Sequence, residues 1–364
     1  MHILIFDMDG VLLKPIGYHR ALKESVRQAG ISLGIGNALL TDDHIARFEA
    51  LGISSEWHSS ALSMAFLTLP VQHQNDKKRS LDGGLDFEPL FEELSSQPMS
   101  ASPLQRGLAA IKILVAKTNC DPEHPCEIVV QAENIHLSPT LKWFQEMVLG
   151  SAHYAQVYNK KPIFDTPSYL KKYDQPMLSK GYANNLTKWT ADPFNGAAIM
   201  TSRPSLGPNN FMDGALDAKL GADLVGLGDI PLVGFGDISW LAAQYGQTAS
   251  DLAKPAWQHG LGAILTAGGW SLERSLLSVG GKASSLRAAD LTHLKDSTIT
   301  VFEDTTSGLF AVQKVVDLLN NLNIPVSLQK IGITDDPAKR AALFAQGADI
   351  YADINQALGI MDLF

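Results

Sequence analysis

The chain is poor in cysteine, has no block of basic residues, and contains no apolar run of bilayer length. Each shortage narrows what it can be. Two cysteines, Cys120 and Cys126, stand among 364 residues, too few for a disulfide framework. A zinc site would need further ligands. His124 lies between the two thiols, but the close-paired ligand spacing is missing, so NCDPEHPCE reads as a plain loop in a reducing compartment. Lysine and arginine number 29 against 38 Asp and Glu, giving a net charge of −9. An acidic chain without a basic block has little to offer a phosphate backbone, so no nucleic-acid partner is expected. The pairs Lys160 with Lys161 and Lys171 with Lys172 read as solvated faces. No uninterrupted apolar stretch approaches a membrane-spanning length, and no membrane partner is expected. The opening MHILIF runs straight into Asp7 and Asp9 without the basic start of a secretory signal, so the expected location is the cytoplasm. Oligomeric state has no signature in the sequence.

What is present is apolar material, 45% of the residues, enough for two or three domains or for one core carrying a large insertion. His2 to Phe6 is a short apolar run ending at DMDG, a buried strand feeding a loop. From Tyr18 the apolar spacing becomes helical and closes on Gly30; DDHIARFEALG and EWHSSALSMAFLTL continue in that style. Residues 71 to 106 are polar and turn-rich, which predicts a mobile connection or an insertion. Helical patterns return in GLAAIKILVAK and SPTLKWFQEMVLG, and loops or short helices are expected from Pro162 to Asn195.

GAAIMTSRP then reads as a strand stopping at Thr201 and Ser202, and IPLVGF as a second short run. WQHGLGAILTA reads as a helix whose first turn takes Pro255. STITVFEDTTSG is a β-branched strand ending in acids, followed by an amphipathic helix, LFAVQKVVDLLNNL. The tail alternates strand, helix, short strand and helix, and no internal repeat is present. Strands alternating with helices imply an α/β fold with a parallel sheet covered on both faces, a Rossmann-like three-layer α/β/α core. Chemistry then gathers at the carboxyl ends of the strands, where Asp7, Thr201 and Asp304 all stand. The expected domains are a core of residues 1–15 and 191–364 and a mainly helical block of residues 16–190, inserted after the first strand.

Four features at these ends can carry chemistry. Asp7 and Asp9, two apart, share a side if the chain stays extended. One can then be a nucleophile and metal ligand while the other handles protons; a turn that merely caps the strand uses the same residues. Glu303 and Asp304 offer oxygen to a hard cation, or form a surface turn. Thr201, with Ser202 and Arg203 after it, places a hydroxyl and backbone N–H groups where phosphoryl oxygens could be held, though turn chemistry would use them equally. Lys254, ahead of Pro255 and an apolar helix, can bring positive charge to the same edge or simply lie on the surface.

Together and in this order, the four resemble the motifs of the haloacid-dehalogenase-like (HAD) hydrolase superfamily. FDMDGVL is similar to the first motif, IMTS to the second, Lys254-Pro255 to the third and FEDTTSG to the fourth. The resemblance is to the branch of β-phosphoglucomutase and phosphoglycolate phosphatase, and it extends to the tail GITDDPAKRAALFAQGADIYADINQAL. It covers roughly residues 1–15 and 195–361; the helical block matches in kind only, as an enlarged cap. The resemblance implies a phosphatase acting on a small phosphorylated metabolite with Mg²⁺ as cofactor. Asp7 would form an aspartyl-phosphate, and Asp9 would protonate the leaving alkoxide and later activate water. The metal would be held by Asp7, the backbone carbonyl of Asp9 and Asp304, with Glu303 outside them. Thr201, Ser202, Lys254 and Gly10 would surround the phosphoryl group. A phosphomutase would use the same residues, and a binding protein that keeps the fold without turnover is a rival of another class. A dehalogenase would have no use for Asp9 or Asp304.

Two departures from that family stand out. About fifty residues separate Lys254 from Asp304, which makes residues 268–297 an insertion and Lys282, in GGKASS, a rival lysine. Leu276 stands where a phosphate-loop glycine would be needed before Lys282. The block between the first two motifs, about 180 residues, exceeds a usual helical cap. Other features read as decoys. GFGDIS hints at a dinucleotide fold, but Ser239 replaces its last glycine. His19, His44, His58 and His73 read as surface or packing histidines. Gly52 to Trp57 is similar to a cap specificity loop and equally to a helix start capped by Ser54 or Ser55.

Overall fold

The structure is a computed structural model that describes residues 1–36, 38–53, 55–70, 86–98, 101–209 and 215–361. The chain forms two compact units, one of Met1–Pro15 with Asp174–Phe364 and one of Ile16–Tyr173.

The first unit is built on a six-stranded sheet. In chain order its strands are β1 (His2–Phe6), β4 (Asn195–Met200), β5 (Leu232–Val233), β6 (Thr298–Glu303), β7 (Ser327–Ile333) and β8 (Asp349–Tyr351). A two-stranded ribbon, β2 (Leu13–Lys14) against β3 (Gln175–Pro176), belongs to the same unit. The spatial order is β5-β4-β1-β6-β7-β8, and every pairing within the sheet is parallel. Parallel strands need crossover connections, so the helices fall on both faces and the strands are apolar on both sides. The alternation is visible residue by residue. Ile3, Ile5, Ala198, Met200, Ile299 and Val301 enter one core with the helices Trp257–Ala267, Leu272–Val279 and Thr306–Asn321. Leu4, Phe6, Ala197, Ile199 and Phe302 enter the other with Lys180–Trp189, Asp217–Leu224 and Ile354–Ile360. Phe6 and Phe302 stack in that second core, ring centroids 4.6 Å apart. The result is the expected three-layer α/β/α arrangement.

Three expectations need correcting. The expected boundary at residue 191 lies too late, because the chain rejoins the sheet unit at Asp174. Leu178, Ala183 and Leu186 are buried in the core beside β1 and β4, and that burial ties Lys180–Trp189 to the sheet. Pro255 does not occupy a first helical turn: the helix starts at Trp257 with Ala256 as N-cap, and the Lys254–Pro255 peptide is cis. Within residues 71–106, Glu88–Ser95 is a helix whose Leu90, Phe91 and Leu94 are buried; residues 71–85 and 99–100 lie outside the described residues. The stretch 268–297, longer than the resembled family leads one to expect, packs in the sheet unit, where Leu276, Val279, Leu291 and Leu294 are buried.

The second unit is helical. Its helices Ile16–Ser32, Glu56–Leu67 and Pro139–Leu149 pack on one another, and Tyr18 meets Phe144 edge-on. Phe48, Phe66, Phe87 and Phe91 fill the space beneath Asp42–Ala50 and Glu88–Ser95. Buried Glu146 accepts from the backbone N–H groups of Ile163 and Phe164 and from the Ser151 hydroxyl, so its charge is matched. Among the described residues no helix is long and apolar enough to cross a membrane.

Candidate active site

The carboxyl ends of β1, β4 and β6 lie side by side, because the register sets Phe6 against Ile199 on one flank and Phe302 on the other. Such an edge is where open parallel sheets keep their crevice. Asp7 leaves β1 there, its N–H donating to the Phe302 carbonyl at 2.9 Å. The loop then folds tightly, with Leu12 and Leu13 both donating to the Met8 carbonyl. Gly10 takes φ +76°, and a Cβ there would lie 2.5 Å from Oδ2 of Asp304. Glycine is therefore required twice over, by backbone conformation and by the approach of the β6 acid.

Lys254 is the centre of the charge arrangement. Its ammonium is almost fully buried and donates to Asp7 Oδ1 at 2.8 Å and to Glu303 Oε1 at 2.6 Å. The segment that carries it is pinned by His259, which is wholly buried. His259 Nδ1 accepts from the Lys254 N–H and Nε2 donates to the Val233 carbonyl. Both ring nitrogens are thereby used in one neutral tautomer, and burial with the nearby Lys254 charge pushes the imidazole down to about 3. Glu303 also has Gly308 pressed against it, where a Cβ would overlap its carboxylate.

Desolvation acts on all three carboxylates. It raises Asp7 above the usual range against the pull of Lys254, and raises Glu303 well above, with the Asp7 charge adding to the effect. Asp304 is pushed up to about 6 by burial, although Lys339 opposes the shift. For Lys254, burial works against the charged form, and the Asp7 and Glu303 carboxylates reverse that and hold it above its ordinary value. One oxygen each from Asp7, Glu303 and Asp304 lies within 4.8 Å of the other two. Hard oxygen donors gathered where burial penalises their charge suit a hard divalent cation. Among the described residues this is the group able to hold a metal, and Cys120 and Cys126 are not part of it.

Other expected residues are placed as follows. Thr201 is buried, donates its N–H to the Val233 carbonyl at 3.0 Å, and accepts the Arg203 N–H on its hydroxyl at 3.1 Å. Ser202, expected beside the phosphoryl group, is exposed. The Asp9 carboxylate is close enough for its charge to raise both Asp7 and Asp304, and it lies in the fork of Arg203. Lys282 is exposed and starts a short 3₁₀ turn, so Lys254 is the lysine that meets Asp7. The GFGDIS segment opens the helix Phe235–Tyr245, and Gly236 is needed because a Cβ there would strike the Ser205 carbonyl. In the helical unit, Ser55 occupies the N-cap position but gives its hydroxyl to His58, which also meets Glu133. His44 closes a capping box with Thr41, and His19 lies near Glu49. His73 and Ser54 lie outside the described residues.

The sequence reading missed three residues. Arg203 has no role of its own in the sequence pattern, and it holds both Asp9 and the buried Asp174. Lys339, on the helix Pro337–Ala345, pairs with Asp304. Arg203 had the one available signal, an arginine two positions after a strand-end threonine. Asp174 and Lys339 sit in segments whose local pattern says nothing about this edge.

No family model matches the chain, and no curated protein matches it. Among solved structures, the chain is similar over its whole length to the X-ray structure of a Northeast Structural Genomics Consortium target. Identity there is 16%, with 98% of that chain covered and a TM-score of 0.61. The likeness shows a shared fold. The phosphatase Tt82 from Thermococcus thioreducens is similar at 13% identity over 94% of this chain and 99% of its own, with a TM-score of 0.48.

Proposed function

We propose that the chain is a Mg²⁺-dependent phosphatase of the HAD-like kind, hydrolysing a small phosphorylated metabolite through an aspartyl-phosphate on Asp7. The observation that carries this reading is the ammonium of Lys254 held between Asp7 and Glu303, with Asp304 alongside. A nucleophilic carboxylate next to a buried cation and a hard-donor group is what in-line phosphoryl transfer requires.

In this reading Asp7, Asp304 and the carbonyl of Asp9 would hold Mg²⁺, and Glu303, which pairs with Lys254, would be an outer ligand. The bound ion supplies charge that offsets the repulsion between carboxylate and phosphate. A carboxylate oxygen of Asp7 attacks phosphorus, and the ester P–O bond breaks with its electron pair going to the leaving oxygen. That oxygen takes a proton from Asp9. Water then attacks the phosphoryl group, giving its proton to Asp9, and the Asp7–phosphorus bond breaks to release phosphate. Lys254, Thr201, Ser202 and the backbone around Gly10 neutralise and orient the phosphoryl oxygens.

The test is a panel of phosphorylated sugars, nucleotides and organic acids with Mg²⁺, run on wild type and Asp7→Asn. Phosphate release that vanishes in Asp7→Asn, with an acid-stable phosphoenzyme absent from the variant, supports the reading. No turnover across the panel defeats it, and isomer formation without phosphate release assigns a mutase instead.

A further inference from the structure

Arg203 is buried, its side chain about 1% exposed, and it faces two carboxylates from distant parts of the chain. Nε and Nη2 form a fork on Asp9, at 2.9 Å to Oδ2 and 2.6 Å to Oδ1. Nη2 also donates to Asp174 Oδ2 at 2.9 Å, and the Asp174 side chain is fully buried. A planar fork fixes a carboxylate in angle as well as distance, which a lysine cannot do. The clamp is itself braced. The Arg203 carbonyl accepts from the Phe235 N–H at 2.9 Å, and Asp174 immediately precedes β3, which pairs with β2 just beyond the Asp9 loop.

We infer that Arg203, anchored by Asp174, is the positioning residue that sets the direction of the Asp9 carboxylate toward the leaving oxygen. The inference rests on the phosphatase reading above. Asp9 is about one-third exposed, and two rotatable bonds separate its carboxylate from the backbone. A proton donor contributes when it is aligned with the atom it serves. Arg203 removes the other rotamers, and Asp174 keeps the guanidinium from swinging away.

The experiment compares single-turnover rates on two esters with Mg²⁺. Glycerol 2-phosphate leaves as an alkoxide that needs a proton, and p-nitrophenyl phosphate leaves as a phenolate that needs little. The variants are Arg203→Lys, which keeps the charge and loses the fork, and Asp174→Asn, which leaves Arg203 in place. Arg203→Lys should slow the alkyl ester about 100-fold, within the usual range of acid–base assistance. It should slow the aryl ester only a few-fold, with KM little changed for either. Asp174→Asn should show the same ester selectivity at smaller size, and it carries the test alone if Arg203→Lys does not fold. Equal losses on both esters, or a loss confined to KM, overturn the inference while the phosphatase reading stands. Wild-type inactivity on both esters and across the panel above overturns the phosphatase reading, and this inference falls with it.

Discussion

The ammonium of Lys254 stands 2.8 Å from Oδ1 of Asp7 across 247 positions of chain, and 2.6 Å from Oε1 of Glu303 across 49. Both acids are buried, so the lysine does more than decorate a surface. Without it, two carboxylates would face each other in a dry site.

That arrangement predicts a strong single-site effect and a weaker double one. Lys254→Met leaves buried charge uncompensated and should lower stability by roughly 3–5 kcal/mol. Lys254→Met combined with Glu303→Gln removes one of the orphaned charges and should recover a large part of the loss. Urea unfolding of the two single variants and the double measures the coupling. Strict additivity would show that the pair is not coupled.

The approach of Gly10 to Asp304 predicts a defect that is more one of metal binding than of folding. Gly10→Ala forces a side chain into a left-handed backbone, at a cost of about 1–2 kcal/mol, and pushes on the Asp304 carboxylate. Wild type in Mg²⁺ at about 100 times its dissociation constant should gain about 2.7 kcal/mol of stability, and a chelator should abolish the gain. Calorimetric titration of Gly10→Ala with Mg²⁺ should show affinity at least tenfold weaker, a loss of about 1.4 kcal/mol. Unchanged affinity would separate Gly10 from the metal site.

Much of this edge was legible because local pattern and chemistry coincide there. Ile3 to Phe6 and Ile299 to Phe302 are apolar runs that stop at acids, and a parallel sheet puts such stops at one edge. A proline and a helix after it, as in the resembled family, favour Lys254 over Lys282, and Lys254 is the one that reaches Asp7. The roles of these residues came from a family resemblance and not from periodicity. What stayed hidden depends on pairing at long range. Arg203 meets Asp9 across 194 positions and Lys339 meets Asp304 across 35, and neither leaves a periodic trace. The boundary expected at residue 191 lies late because β3 has two residues and the helix after it is polar in sequence, although Leu178, Ala183 and Leu186 are buried.

Asp237 supplies a pH dependence away from the metal group. Its carboxylate is buried, accepts from the Ser205 hydroxyl and the Gly234 N–H, and is pushed up to about 6 by desolvation. The unfolded chain holds that proton only below about 3.9. Between these values the folded state binds the extra proton, so this group favours the fold most in acid and loses that contribution as pH rises through 6. The span corresponds to about 3 kcal/mol. Asp237→Asn should therefore flatten the stability profile between pH 4 and 6 relative to wild type, as read by denaturant unfolding. Parallel profiles for the two proteins would refute it.

His259 acts in the opposite direction. Burial beside Lys254 pushes it down to about 3, whereas an unfolded histidine titrates near 6.5. Between those values the unfolded chain binds the extra proton, so the stability contributed by neutral His259 is complete above pH 6.5 and is lost as pH falls toward 3. The full difference is of the order of 4–5 kcal/mol. His259→Gln keeps an amide able to donate to Val233 and accept from Lys254 but cannot be protonated. It should unfold less steeply between pH 6 and 4 than wild type, while its stability at pH 8 is lower because the amide fills the ring's space incompletely. A variant with the wild-type acid slope would mean that another group governs unfolding in that window, and that the Lys254 segment does not depend on a neutral imidazole.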